Sequence, residues 1–262
     1  MEATLIPRGR IGIMVEAEAI SPDVFQGLGI GEIEELEVWQ GPERHPLAEF
    51  FDVEVRADGS GETRIVIEGD VSRVKRIGQS MKSGSIEVHG SAGMHTGTGM
   101  SGGKITVEGD VGSWAGMEMS GGLLTVLGDA GDHVGSAYRG SWQGMTNGRI
   151  VIDGNAKSQL GGGITGGEII VGGCVENFCA IRQSGGTIVV RGSAFRGAGA
   201  EMSGGTLAVE GKVEQISPGF LPAGQEENPK LADLELIGRF ERLTGDYATF
   251  KNPKGSLLLK EV

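Results

Sequence analysis

A 13-residue pattern, Gly-x-x-Met-x-x-Gly-x-(Ile/Leu)-x-(Val/Ile)-x-Gly, recurs seven times through the middle of this 262-residue chain and restricts its fold more than any other feature. Copies begin at Gly78, Gly97, Gly116, Trp142, Gly161, Ala180 and Gly199, so their starts lie 19, 19, 26, 19, 19 and 19 residues apart. Ile164 and Gln183 replace Met in two copies, and Ala180 stands where the pattern has Gly. These departures weaken single copies without disturbing the period. So regular a period is the signature of stacked coils, each burying its apolar face against its neighbours.

Within each repeat a short segment alternates, as in Lys104-Ile105-Thr106-Val107-Glu108 and Arg149-Ile150-Val151-Ile152-Asp153. Apolar residues at every second position share one face of a strand, with polar residues on the other. Glycine at both ends is expected to break each strand, and the Gly-Asp-Val-Gly stretch from Gly109 is expected to turn a corner. Nineteen residues are too few for a helical repeat of the ankyrin or tetratricopeptide kind, and glycine at this density costs a helix about 1 kcal/mol per position. The sequence therefore predicts an all-β fold, a right-handed parallel β-helix built as a solenoid of about 19-residue coils. At the spacing of paired strands, its eight strand repeats make a rod roughly 35–40 Å long. Ile/Leu and Val columns fill the interior. The Met column (Met81, Met100, Met119, Met145, Met202) reads as adaptable core packing rather than a copper site or a promiscuous surface.

Residues 61–215 form this Gly-rich unit, and mixed caps at 1–60 and 216–262 are expected to cover its open ends. In the first cap, Ser21 and Pro22 read as the N-cap and first position of a helix, and Ile33 to Trp39 as a strand. In the second, Ile216 to Asn228 reads as a loop, Leu231 to Phe240 as a packing segment and Gly255 to Lys260 as a strand.

Of the 49 glycines, 36 lie between Gly69 and Gly211, without the three-residue period of collagen and with fixed apolar positions that exclude a disordered linker. The net charge of −12 argues against nucleic acid or an anionic membrane as the main partner. No apolar run reaches the length of a membrane span and the first residues do not open a signal peptide, so a cytoplasmic location is expected. Cys174 and Cys179 are too few for a disulfide framework and read as reduced, buried small hydrophobes.

Chemistry-bearing motifs are sparse. His45, His89, His95 and His133 are scattered, and the Cys174-x4-Cys179 pair lacks the partners of a zinc or iron–sulfur site. No nucleophile elbow or Walker sequence is present. The expectation is no catalytic, cofactor-binding or metal-binding residue in this chain. One rival is a stand-alone polysaccharide lyase. Asp110 and Asp129 would lie one coil apart, about the ~5 Å of carboxylate pairs that cleave glycosides, with Asp70 in the same column. Ser91, Asn155, Cys174 and Ser193 occupy that column too, which favours turn chemistry bonding to local backbone. With only 13 aromatic residues (three Trp, two Tyr, eight Phe), no aromatic-lined cleft is evident either.

The 26-residue coil is the better lead. Seven extra residues enter around Ser136 to Met145 and bring Tyr138, Arg139 and Trp142 together. Insertions in repeat proteins fall in loops on one face, and Tyr, Trp and Arg are enriched at interface hot spots. These three residues form the candidate protein interface. The competing reading is a bulge whose Trp142 covers a gap in the core.

The repeat run from Gly78 to Gly211 resembles the C subunit of formylmethanofuran dehydrogenase, where the same 13-residue repeat carries Gly or Trp at its first position. Pro46 to Val53, Leu243 to Tyr247 and Lys254 to Leu257 extend the resemblance into the flanks. It implies a non-catalytic structural subunit of an oxidoreductase complex that reduces CO2 and attaches it as a formyl group to methanofuran, the first step of CO2-dependent methanogenesis. The implied partners are a formate-dehydrogenase-like subunit holding tungsto- or molybdopterin, an amidohydrolase-like subunit, and ferredoxin-like subunits with 4Fe–4S clusters. The C subunit of the bacterial formyltransferase/hydrolase complex shares the repeat, and so does the C-terminal β-helix of glutamate synthase. The last belongs to a much longer chain, and 262 residues are expected to make a free-standing subunit instead.

Overall fold

The computed structural model describes residues 1–57, 61–231 and 233–261. Its centre is a mostly parallel sheet of 13 strands. In chain order these are β1 (Glu2–Pro7), β2 (Phe51–Arg56), β3 (Arg64–Glu68), β4 (Ser85–His89), β5 (Ser101–Val107), β6 (Ser120–Val126) and β7 (Asn147–Ile152). They continue with β8 (Glu168–Val171), β9 (Ser184–Val190), β10 (Gly204–Val209), β11 (Leu221–Glu227), β12 (Arg239–Gly245) and β13 (Gly255–Lys260). Strands β3 to β10 lie side by side in chain order, every pair parallel.

The register is the sequence period made physical. Ile86, Ile105, Leu124, Ile150, Ile169, Ile188 and Leu207 pair as one continuous row. Each successive repeat touches the next at two further places. One is a row of single parallel bridges through Val71, Ala92, Val111, Ala130, Ala156, Val175 and Ala194. The other is a corner row in which Gly97, Gly116, Gly135, Gly161 and Ala180 each donate an N–H to the coil before. The Ile/Leu, Val and Met columns are all fully buried, so the Met residues are core packing, as their recurrence predicted. Burying each such side chain stabilises the fold by about 1.5–3 kcal/mol. Gln183 is buried in the Met column as well, where its amide nitrogen Nε2 donates to the carbonyls of Gly185, Gly186 and Thr206 at 3.0–3.2 Å.

Close approach fixes the glycine that opens some of the repeats. A Cβ at Gly78 would lie 2.5 Å from Ile105 Cδ1, and one at Gly116 would lie 2.5 Å from Ile150 Cδ1. Where the facing residue is Leu124, a Cβ at Gly97 would keep ordinary contacts of 3.5 Å and longer. Leu207 occupies the facing position for Ala180, the one repeat that opens with alanine.

Several local expectations need correction. The paired glycines do not end the strands: β5 and β6 begin at Ser101 and Ser120, before Gly102-Gly103 and Gly121-Gly122, and the register shifts across them. A helix at Pro22–Phe25 has Ser21 at the N-cap position and Pro first, but no side-chain cap bond. Asp23 instead accepts the Lys82 N–H at 2.7 Å and the Ser83 hydroxyl at 2.9 Å, tying this segment to the first coil. The expected strand from Ile33 starts only at Glu37, because Ile30–Glu34 is helical, with Glu32 accepting the Gly29 N–H at 2.8 Å. The expected loop from Ile216 to Asn228 contains β11, which pairs antiparallel with β12. Lys230–Leu231 pairs with Leu234–Glu235, and Leu236 and Phe240 pack with Val189, Ala208 and Leu258. Gly255 to Lys260 is β13, as expected. The end of the expected 1–60 segment falls on residues 58–60, outside the described residues. Among the described residues, no helix is long and apolar enough to cross a membrane.

A candidate binding site beneath the insertion loop

One corner of the stack carries bulky side chains on left-handed backbone. Arg76, His95, Trp114, His133, Gln159 and Phe178 take φ between 58° and 67°, one per repeat. For residues of this size that conformation costs of order 1–3 kcal/mol each. A regular ladder holds it: His95 N–H donates to Ser113, Trp114 to Asp132, His133 to Ser158, Gln159 to Asn177 and Phe178 to Arg196, all through backbone carbonyls. The arrangement stacks His95, Trp114 and His133. The Trp114–His133 ring centroids are 4.0 Å apart and 8° from parallel, and those of His95 and Trp114 are 6.1 Å apart at 9°.

Two of the four histidines are brought together, since His95 and His133 sandwich Trp114 at 19-residue offsets that were present in the sequence, while His45 lies by Glu49 and His89 by Glu68. Burial holds His133 below the ordinary imidazole range, helped by the Arg139 charge and opposed by Asp132. Burial does the same for His95, helped by Arg76 and Lys75 and opposed by Glu16. Both rings are neutral near neutral pH.

The insertion lies over this column. Ala137 N–H donates to Gly162 O and Gly144 N–H to Gly163 O, both at 2.8 Å, pinning the two ends of the loop to the following coil. Ser136 Oγ donates to His133 O at 2.8 Å, and Tyr138 N–H to a Glu118 carboxylate oxygen at 3.1 Å. A cavity of about 370 Å³ opens between loop and corner, lined by Trp114, His133, Tyr138, Trp142, Phe178 and Arg182 among others. The three predicted residues all line it. Trp142 is 76% exposed, so it covers no gap in the core; the buried Gly144 and Met145 carry the chain back inside. The Arg182 guanidinium lies over the Trp142 ring at 4.9 Å, and Tyr138 tilts against Trp114 at 6.3 Å. An aromatic-lined cleft is thus present, contrary to expectation. Its aromatic residues are far apart in sequence and meet only through the coil register.

The carboxylate column has a structural occupation. Ser91, Asp110, Asp129, Asn155, Cys174 and Ser193 each accept, through the side chain, the backbone N–H of the next residue in the column, ending at Lys212. Asp110 receives Asp129 N–H at 2.8 Å and Asp129 receives Asn155 N–H at 2.6 Å. These bonds run between coils, not to local backbone as turn chemistry required; only Asp70 bonds locally, to Ser72. Cys174 is exposed in this column rather than buried, whereas Cys179 is buried and its thiol is pushed up to about 12. His89 lies between Glu68, at 3.1 Å, and Glu108, at 3.9 Å. Among the described residues no three His, Cys, Asp or Glu side chains converge on a metal position.

The fold and this corner define a repeat-built β protein with an aromatic-lined cavity on one side. No family model matches the sequence. A segment of 95 residues is 57% identical to the C subunit of a molybdenum-containing formylmethanofuran dehydrogenase from Methanosarcina barkeri, covering 36% of this chain and 32% of that one. Over 97 residues the chain is 43% identical to the C subunit of the tungsten-containing enzyme from Methanothermobacter thermautotrophicus, covering 37% and 36%. These matches span about a third of the curated relatives' length. A chain in the crystal structure of the formyltransferase/hydrolase complex from Methylorubrum extorquens with methylofuran matches at a TM-score of 0.84 and 31% identity, over 99% of this chain and 100% of that one. This chain belongs to the family of the matched chain of the formyltransferase/hydrolase complex, and about a third of it is similar to part of the dehydrogenase C subunits.

Proposed function

We propose that this chain is a non-catalytic scaffold subunit of a formylmethanofuran dehydrogenase complex, which reduces CO2 and fixes it as a formyl group on methanofuran. The observation that carries this reading is the 57% identity over 95 residues to a dehydrogenase C subunit. The partners are then a pterin–metal subunit holding tungsten or molybdenum, an amidohydrolase-like subunit and 4Fe–4S ferredoxin-like subunits, in the cytoplasm. The rows of parallel pairing at three places in each repeat support a right-handed parallel β-helix over residues 61–215, capped by 1–60 and 216–262. Tyr138, Arg139 and Trp142 form the docking loop, and the exposure of Trp142 supports that role.

A second reading, scaffold of a formyltransferase/hydrolase complex, is favoured by the end-to-end match to a chain of that assembly. The lyase reading has no comparable support, because the Asp110 and Asp129 carboxylates are engaged in the column. Anaerobic purification of the tagged chain with its partners, followed by metal analysis, tests the proposal. Co-purifying tungsten or molybdenum with iron is the expected result. A metal-poor complex that carries formyltransferase activity would select the second reading, and a chain recovered alone would refute both.

A further inference from the structure

We propose that the cavity beneath the insertion loop receives a carboxylate borne on an acidic loop of a partner subunit, with Arg139 and Arg182 as its anion-binding pair. The proposal rests on the scaffold reading and adds the chemistry of the contact. The lining is the first ground. The chain carries 35 acidic against 23 basic residues, yet the cavity wall includes two arginines and no Asp or Glu. The carboxylates that touch its lining residues are already engaged: Glu118 by the Tyr138 N–H, Asp132 by the Ser158 N–H and Glu201 by Arg182.

The arginines are prepared for a guest. Arg139 is exposed and makes no side-chain ion pair or hydrogen bond among the described residues. Among the described residues Arg182 bonds only through its Nε, to Glu201 at 2.8 Å, while its guanidinium plane rests on Trp142. Its outer N–H groups keep the planar fork that pairs two-pronged with a carboxylate.

The surroundings select a protein guest over a free small anion. Tyr138 is 54% exposed and Trp142 76%, and Phe178, 37% exposed, lines the cavity beside them. Phe178 is shared with a neighbouring depression of about 440 Å³ that reaches Ile216 and Pro218. A small anion would leave this rim wet, whereas a docked loop covers it and seats the ion pair in a desolvated centre. On a chain of net charge −12, such a patch also fixes where an acidic element can approach.

The test uses the assembled complex. The affinity of tagged chain for its partner subunits is measured from low to high salt for wild type, the Arg139→Gln/Arg182→Gln double variant and the Tyr138→Ala/Trp142→Ala double variant. Thermal melts confirm that each variant folds. The Gln variant is expected to lose about tenfold or more in affinity together with much of the salt dependence. The Ala variant is expected to lose affinity and keep the salt dependence. In parallel, carbodiimide coupling of the amine introduced by Arg139→Lys, mapped by mass spectrometry, is expected to join it to an Asp or Glu of a partner. Wild-type affinity and salt dependence in the Gln variant, with assembly lost in the Ala variant, would overturn the carboxylate contact and leave the scaffold intact. Cross-links confined to this chain's own carboxylates would overturn it too. Wild type that captures no partner at any salt concentration would remove the scaffold reading itself.

Discussion

The fit between each repeat's first residue and the Ile column gives a prediction with two arms. Gly97 and Gly116 share the same place in successive coils, with φ of 69° and 61°. Alanine at either site suffers the left-handed backbone penalty of roughly 1–2 kcal/mol. Lower entropy of the unfolded chain offsets this by roughly 0.4–1 kcal/mol. At Gly97 nothing else is added, because the new methyl would sit 3.5 Å from Ile105 Cδ1 and 3.8 Å from Leu124 Cδ2. At Gly116 it would sit 2.5 Å from Ile150 Cδ1. Ile150 is fully buried, so its repacking adds the roughly 1–3 kcal/mol typical of an overfilled core. Gly116→Ala should therefore melt lower than Gly97→Ala by about 2–4 °C for each kcal/mol of difference. Ile150→Leu, which copies the Leu124 and Leu207 environments, should return part of the Gly116→Ala loss in a double-mutant cycle, with a coupling of roughly 0.5–3 kcal/mol. Circular dichroism melts of the four proteins decide the matter. Equal losses at the two glycines, or a cycle without coupling, would refute the argument that the facing side chain dictates glycine.

Asp129→Ala should cost about 0.5–1.5 kcal/mol by removing the acceptor of the Asn155 N–H, while Asp129→Asn, which keeps an acceptor, should melt close to wild type. His95 and His133 should make the protein acid-sensitive. Their folded pKa values lie below the unfolded value of about 6.5, so the unfolded state binds more protons and stability falls as pH drops from there through the folded values. His89, raised first by its bond to Glu68, works oppositely and adds stability that is lost as pH climbs through its folded pKa. Melts of a His95→Gln/His133→Gln variant across this range should show a shallower acid slope, and an unchanged slope would count against the neutral stack. Cys174 should react with a thiol reagent in the native state and Cys179 only on unfolding, as a two-step titration would show. Trp142→Ala should leave the melting temperature nearly unchanged, because the side chain is exposed, and should impair only partner binding.

The parallel pairing was legible because one residue type per position, repeated at 19 residues, leaves a single register that keeps Ile against Ile. The Tyr138–Trp142 insertion was legible for the same reason, as a break in that count. Contacts that cross coils through dissimilar residues were not. His95, Trp114 and His133 share the period but not a residue type, and their stack became visible only when the whole column was placed. Asp110 and Asp129 stood in a column recognised beforehand, yet whether they bond up the stack or within their own turn depends on backbone orientation. In the caps no repeat constrains the reading. Ile33 therefore looked like the start of a strand, although Glu32 had closed a helical turn on Gly29.

A row of parallel-paired repeats has no natural length, since each presents the next with the same surface. The column from Ser91 to Lys212 supplies one. Each member hands an acceptor to the coil that follows, and serine, aspartate, asparagine and cysteine can all do so. Lys212 cannot: its ammonium has donors and no lone pair, and it turns to Glu214 at 3.1 Å. At the opposite end Asp70 is occupied by its own Ser72. The series is thus closed at one end by residue type and at the other by the local bonds of Asp70. Whole coils could be gained or lost between Ser91 and Ser193 without breaking it, while a further copy placed beyond Lys212 would find no bond waiting.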